Sequence, residues 1–130
     1  MFHSAIRYGA PGARYRDVDV AARIEGASPH GLVVILFEEL LKGLDTLRAA
    51  ERTGEGFRHA PVQARTVSIL HGLEQGLDFD RGGEIAASLG RIYREARRLV
   101  TTPTGPDRLG ALDQARGMVG EIAAAWISIG

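Results

Sequence analysis

SPHGLVVILFEELLKGLDTLRAAE, residues 28–51, decides the fold, because its first half can be read in two ways. LVVILF, residues 32–37, is a continuous apolar run of the kind that fills a buried strand. What flanks it selects a helix. Ser28 suits an N-cap, and Pro29 suits the first helical position, where a missing N–H is no loss. Beyond the run, EELLKGLDTLRAAE is built of good helix formers. Val33, Leu36, Leu40, Leu44 and Leu47 recur at helical spacing as a core seam, which Leu32 and Phe37 widen. Six consecutive apolar residues nevertheless surround a helix on every side. One stripe faces a bundle, so something else must cover the other.

Three further segments carry the same period. Val62, Thr66, Ile69, Leu70, Leu73 and Leu77 mark one face of a helix opening near Pro61. A third helix is expected from Glu84, after the pair Gly82-Gly83, with Ile85, Leu89, Ile92, Ala96 and Leu99 as its seam. The fourth is expected from Pro106 and Asp107, with Leu112, Ala115, Val119, Ile122, Trp126 and Ile129. The links ERTGEG, DFDRGG and TPTGPD are short and rich in turn formers, so successive helices run antiparallel. The expected fold is all-α: an antiparallel up-down four-helix bundle over 29–130, preceded by an arm over 1–28. The arm carries Gly9, Pro11, Gly12 and Gly26 among scattered apolar residues and cannot build its own core. A short helix from about Asp17 to Glu25, capped by Asp17, would set Val20 and Ile24 one turn apart. Gly110, Gly117 and Gly120 weaken the last helix unless they permit close contact.

Composition narrows the function. Sixteen basic and sixteen acidic residues are mixed along the 130-residue chain, so no one-sided positive field exists for nucleic acid. No run approaches the roughly 20 apolar residues of a membrane span, and the N-terminus lacks a signal-length apolar core. A cytoplasmic, soluble protein is expected. With no cysteine there is neither a disulfide nor a thiolate metal site.

Catalytic constellations are scarce, and no catalytic, cofactor or metal residue is assigned. His71 and Glu74 reverse the order of the inward Glu-x-x-His pairs of metal bundles and occur once. Glu38 and Glu39 read as a solvated face. The stripe Arg91, Arg94 and Arg98, with Arg97 beside it, lacks aromatic partners and reads as a surface paired with Glu95 and other acids. His71 in His71-Gly72-Leu73-Glu74 admits one competing class, a histidine phosphotransfer bundle. Glu74, a like charge, would oppose a phosphoryl group there.

Taken together, ASPHGLVVILFEELL (27–41), GLDFDRGGEIAASLGRIY (76–93), the later RRLV (97–100), Tyr15 in the arm and the late Trp126 resemble FliS, the flagellin export chaperone family. The order and spacing match over nearly the whole chain. Between Tyr93 and the arginine pair the chain is one residue shorter than the family pattern, and TTPTGPD replaces its usual charged link. The resemblance implies a non-enzymatic cytoplasmic bundle for bacterial flagellum assembly. Such a protein binds the disordered C-terminal segment of flagellin, prevents premature polymerisation and delivers the client to the flagellar export gate. It needs no cofactor, nucleic acid or membrane insertion, and exists as a monomer or weak homodimer. The client would order in apolar grooves. On that basis Tyr15, Val20 and Ile24 are candidates for a removable cover, and Val34, Ile35, Phe79 and Tyr93 for the groove. The alternative for the arm residues is permanent core contact.

Overall fold

The computed structural model describes residues 11–129, with side chains from 19 onward except those of 56 and 57. Five α-helices follow one another: α1 (Pro11–Gly26), α2 (Pro29–Arg52), α3 (Ala60–Gln75), α4 (Phe79–Val100) and α5 (Arg108–Ser128). A 3-10 turn at Gly56–His59 precedes α3. No strand occurs among the described residues, and LVVILF lies inside α2. Helices α2 to α5 each pack against their neighbours in sequence, and α5 closes the ring on α2. This is the expected four-helix bundle. Within it α2 and α4 are diagonal, and among the described residues α1 packs on α2 alone.

Local chemistry sets the boundaries. Ser28 caps α2, its hydroxyl accepting from the Gly31 N–H at 3.0 Å, with Pro29 directly behind it. Helix α1 is already helical at Pro11, the first described residue, so the expected start at Asp17 lies inside it. The start of α4 differs too. Asp78, rather than the glycine pair, makes the N-cap, accepting from the Arg81 N–H at 3.1 Å. Gly83 then takes φ 50°, ψ −125°, a positive-φ conformation that kinks α4 after this first turn, so the glycine pair does interrupt the helix and its long regular part runs from Glu84 as expected. Asp107 precedes α5 but makes no side-chain cap.

The core joins Phe37, Leu40, Leu44 and Leu47 of α2, Ile69, Leu70 and Leu73 of α3, Tyr93, Ala96, Leu99 and Val100 of α4, and Leu112, Ala115, Val119 and Ala123 of α5. Two expected seam residues are exposed instead. Ile85 and Ile129 have the right helical phase but sit where the bundle ends, 74% and 73% exposed. Where α2 meets α3, Gly43 makes close approach possible: a Cβ there would lie 2.5 Å from the Thr66 hydroxyl oxygen. Thr66 is buried, and its hydroxyl donates to the Val62 carbonyl.

Arg108 closes one end of the bundle. Its side chain is buried; Nη1 donates to the Val100 and Thr102 carbonyls, Nη2 donates to Gln63 Oε1 at 2.7 Å, and Nε lies 3.2 Å from Glu51 Oε2. One guanidinium thus joins α2, α3, the end of α4 and the start of α5. It satisfies a carbonyl that α4 leaves without an intrahelical partner.

These placements give opposite expectations for similar substitutions. Gly110 and Gly117 face open space, so Gly110→Ala and Gly117→Ala should each stabilise by up to about 1 kcal/mol, whereas Gly43→Ala should destabilise by about 1–3 kcal/mol. Arg108→Ala, which leaves Glu51 and two carbonyls unpaired, should lose about 3 kcal/mol, and Arg108→Lys should not restore the fork. Urea denaturation of the five variants checks both statements.

Candidate functional site

The back of α2 is where apolar surface exceeds what the bundle uses. At about 100° per residue, Ile35 lies opposite the Phe37–Leu40–Leu44 seam. It is nevertheless only 5% exposed, and it lies outside the bundle core. Val20 of α1, 2% exposed, is also outside that core. Since α1 contacts only α2, Val20 is buried against α2's outward face. Ile24 and Val34 are half-buried, and Arg23 Nη2 donates to Glu38 Oε2 at 3.1 Å across the seam.

The described side chains of α1 hold this cover lightly. Burying Val20 contributes about 1.5–3 kcal/mol, and an exposed ion pair such as Arg23–Glu38 contributes about 0–1 kcal/mol. The link is only Ala27 and Ser28, with the Ala27 N–H donating to the Ile24 carbonyl at 3.2 Å. At the same end, Trp126 of α5 anchors α2: its ring stacks on His30, centroids 4.7 Å apart, and Nε1 donates to the His30 carbonyl at 3.2 Å. The start of α2 is therefore anchored to α5, and α1 joins it through a two-residue link. His30 gave no signal in the sequence beyond its place beside Pro29.

The seven candidate residues do not form one site. Val20, Ile24, Val34 and Ile35 meet at the α1–α2 contact. Phe79, half-exposed, stands on the kinked first turn of α4, diagonal to α2. Tyr93 is a correction: it lies in the bundle core, its hydroxyl pKa raised by burial, and no partner reaches it while the bundle is closed. The seam of α4 is rotated so that Ala86, Tyr93, Ala96 and Val100 point inward while Ile92 moves to the edge. The side chain of Tyr15 lies outside the described residues.

The polar candidates pair with each other. Arg94 donates to Glu74 Oε2 at 2.9 Å and Arg97 to its Oε1, while Arg98 is held on Glu95. Arg97 Nη1 also lies 3.3 Å from His71 Nδ1. The Glu74 charge is therefore neutralised rather than opposed to His71, and an arginine occupies the ring nitrogen. Glu39 is a further correction. It is buried, not solvated, accepting from Arg65 and Lys42 at 3.0 Å each. Among the described residues no group of histidines and acids could hold a metal ion, and no helix is long and apolar enough to cross a membrane.

Comparison with known proteins agrees with this geometry. The family model described as "Flagellar protein FliS" matches residues 12–130. A flagellar secretion chaperone, FliSB, of Pseudomonas aeruginosa is 30% identical over 117 residues, covering 89% of this chain and 92% of the relative. The flagellar secretion chaperone FliS of Salmonella typhimurium is 30% identical over 124 residues, covering 94% and 92%.

The Glu74 network carries a pH dependence. Arg94 foremost, then Arg97, hold the Glu74 carboxylate below its ordinary value of 4.5. A carboxylate whose pKa is depressed by folding stabilises fully above its unfolded pKa, and loses that contribution as pH falls through the folded one. Glu74→Gln should therefore be less stable than the parent at pH 7, and the difference should shrink as pH falls below the ordinary carboxylate range and through the lowered Glu74 pKa. Thermal melts across that range measure it.

Proposed function

We propose, from the premise that the chain belongs to the FliS family of flagellar proteins, that it is an export chaperone whose client is the disordered C-terminal segment of flagellin. The observation that carries this reading is the outward face of α2. An apolar helix back, covered only by a lightly held α1, is a surface made to be exchanged. A client helix laid on Val34 and Ile35 replaces Val20 and Ile24 and orders as it binds. Bound in this way the client's apolar face is withheld from polymerisation until delivery to the export gate. The work is binding, without a covalent step, in keeping with a family of chaperones rather than enzymes. Its setting in this reading is the cytoplasm, and the chaperone acts as a monomer or weak homodimer. In domain terms, residues 1–28 are the regulatory arm and 29–130 the chaperone bundle.

Two substitutions on opposite sides of the same contact should move affinity in opposite directions. Val20→Asp should release α1 and tighten binding of a flagellin C-terminal peptide, by about tenfold for each 1.4 kcal/mol of contact removed. Ile35→Asp should weaken it by about tenfold or more. Calorimetric titration measures both, with circular dichroism reporting helix content. Equal affinities in all three proteins would remove α2's outward face from the client site.

A further inference from the structure

The largest apolar exposure lies elsewhere, at the end of the bundle opposite Arg108. On α4, Arg94 and Arg97 bond Glu74 and so mark the flank that faces α3. At about 100° per residue Ile85 lies half a turn from Arg94, on the flank away from α3, in line with Leu89 and Ile92. On α5, Arg116–Asp45 and Arg48–Asp113 mark the flank that faces α2. Ile122 lies about half a turn from Asp113, in line with Met118 and Ile129. The two apolar flanks therefore face each other across the α4–α5 seam. They are also level. Arg108 bonds the Val100 carbonyl, and stepping equally back to Ile85 and forward along α5 reaches Ala123, beside Ile122. Leu89, Met118 and Ile122 are half-buried against the core and Ile92 is half-buried beside them, while Ile85, just past the Gly83 kink, and Ile129, at the end of α5, stand open.

Charge selects the occupant. Glu84 and Glu121 each directly precede a lining isoleucine, both are exposed, and neither makes an ion pair among the described residues; the same holds for Asp80. Of the nearby cations, Arg98 is paired with Glu95 and Arg81 lies 3.7 Å from Asp78, while Arg91 bonds only the neutral Ser88 hydroxyl, so Asp80, Glu84 and Glu121 outnumber the one uncompensated positive charge. We propose that the α4–α5 cleft is a second docking site, separate from the face under α1, for an amphipathic protein helix whose apolar stripe is flanked by lysine or arginine. Anchors at i, i+4 and i+7 match the spacing of its own lining. A second copy of this chain would set the same carboxylates against each other, and an anionic membrane would be repelled.

The test is a pair of synthetic amphipathic peptides with the same leucine stripe, one flanked by lysines and one by glutamates. They are titrated into the full-length protein by calorimetry and by the fluorescence of the single tryptophan, Trp126. The lysine peptide should bind at least about tenfold more tightly, with the preference shrinking as salt rises. Ile85→Ser with Ile129→Ser should weaken that binding about tenfold. Glu84→Lys with Glu121→Lys should reverse the preference, an outcome that requires a folded protein. Equal binding of the two peptides, or binding indifferent to both double variants, overturns the proposal. So does self-association of the parent that Ile85→Ser with Ile129→Ser abolishes, since the occupant is then a second copy.

Discussion

Helix α2 has more apolar surface than one core can use, and the rest of the molecule answers that excess. Phe37, Leu40, Leu44 and Leu47 hold the bundle together from one side of it. Ile35 on the other side can be buried only by something that is not part of the bundle, and α1 supplies Val20 for that purpose. Had the back of α2 been polar, the chain would be an ordinary four-helix bundle with a dispensable leader. An exposed stripe there would instead risk self-association.

The two ends of the bundle are built differently. At one, Arg108 gathers Glu51, Gln63 and the carbonyls that end α4, so four elements are fixed by one planar, permanently charged group. At the other, the ties are the His30–Trp126 stack and the Asp78 cap, and apolar side chains project past the packed region. Rigidity is concentrated at the clamp and adaptable surface at the opposite end. This is the distribution expected where binding surfaces are drawn from the less tightly held parts of a fold.

Helical periodicity made the bundle legible, since each seam repeats over several turns. It reports the direction of a side chain, not where its neighbours stop, which is why Ile85 and Ile129 share the phase of the core yet lie open. The glycine pair was read as a break because glycine weakens helices. Gly83 does interrupt α4 there, and what the reading missed is the single turn that the Asp78 cap adds ahead of the glycines. Arg108 did leave a signal, standing one turn before Leu112 on the core side, but a charged residue at a helix start reads as solvated unless its distant partners are known. Glu39 was misread for the same reason: Arg65, its partner, lies on another helix. Of the candidate residues, Val20 and Ile35 are buried where α1 packs on α2, a placement that the apolar excess of α2 implied. Tyr93 and Phe79 depended on local register, which a kink or a small rotation of α4 redirects.

The strength of the α1 contact is itself constrained from both sides. A sixteen-residue helix is marginal in water on its own, so α1 depends on α2 for much of its order. Its buried apolar anchor contributes only about 1.5–3 kcal/mol against the entropy of ordering the segment. A cover held much more firmly would lower the client's apparent affinity by the fraction of time the face is closed. A cover held much less firmly would leave Ile35 and Val34 open to other chains. Among the described side chains of α1, one buried valine, one half-buried isoleucine and one exposed ion pair lie between those limits. The sparse apolar content of the arm is therefore what an exchangeable cover requires, where a permanent fifth helix would carry a full apolar stripe.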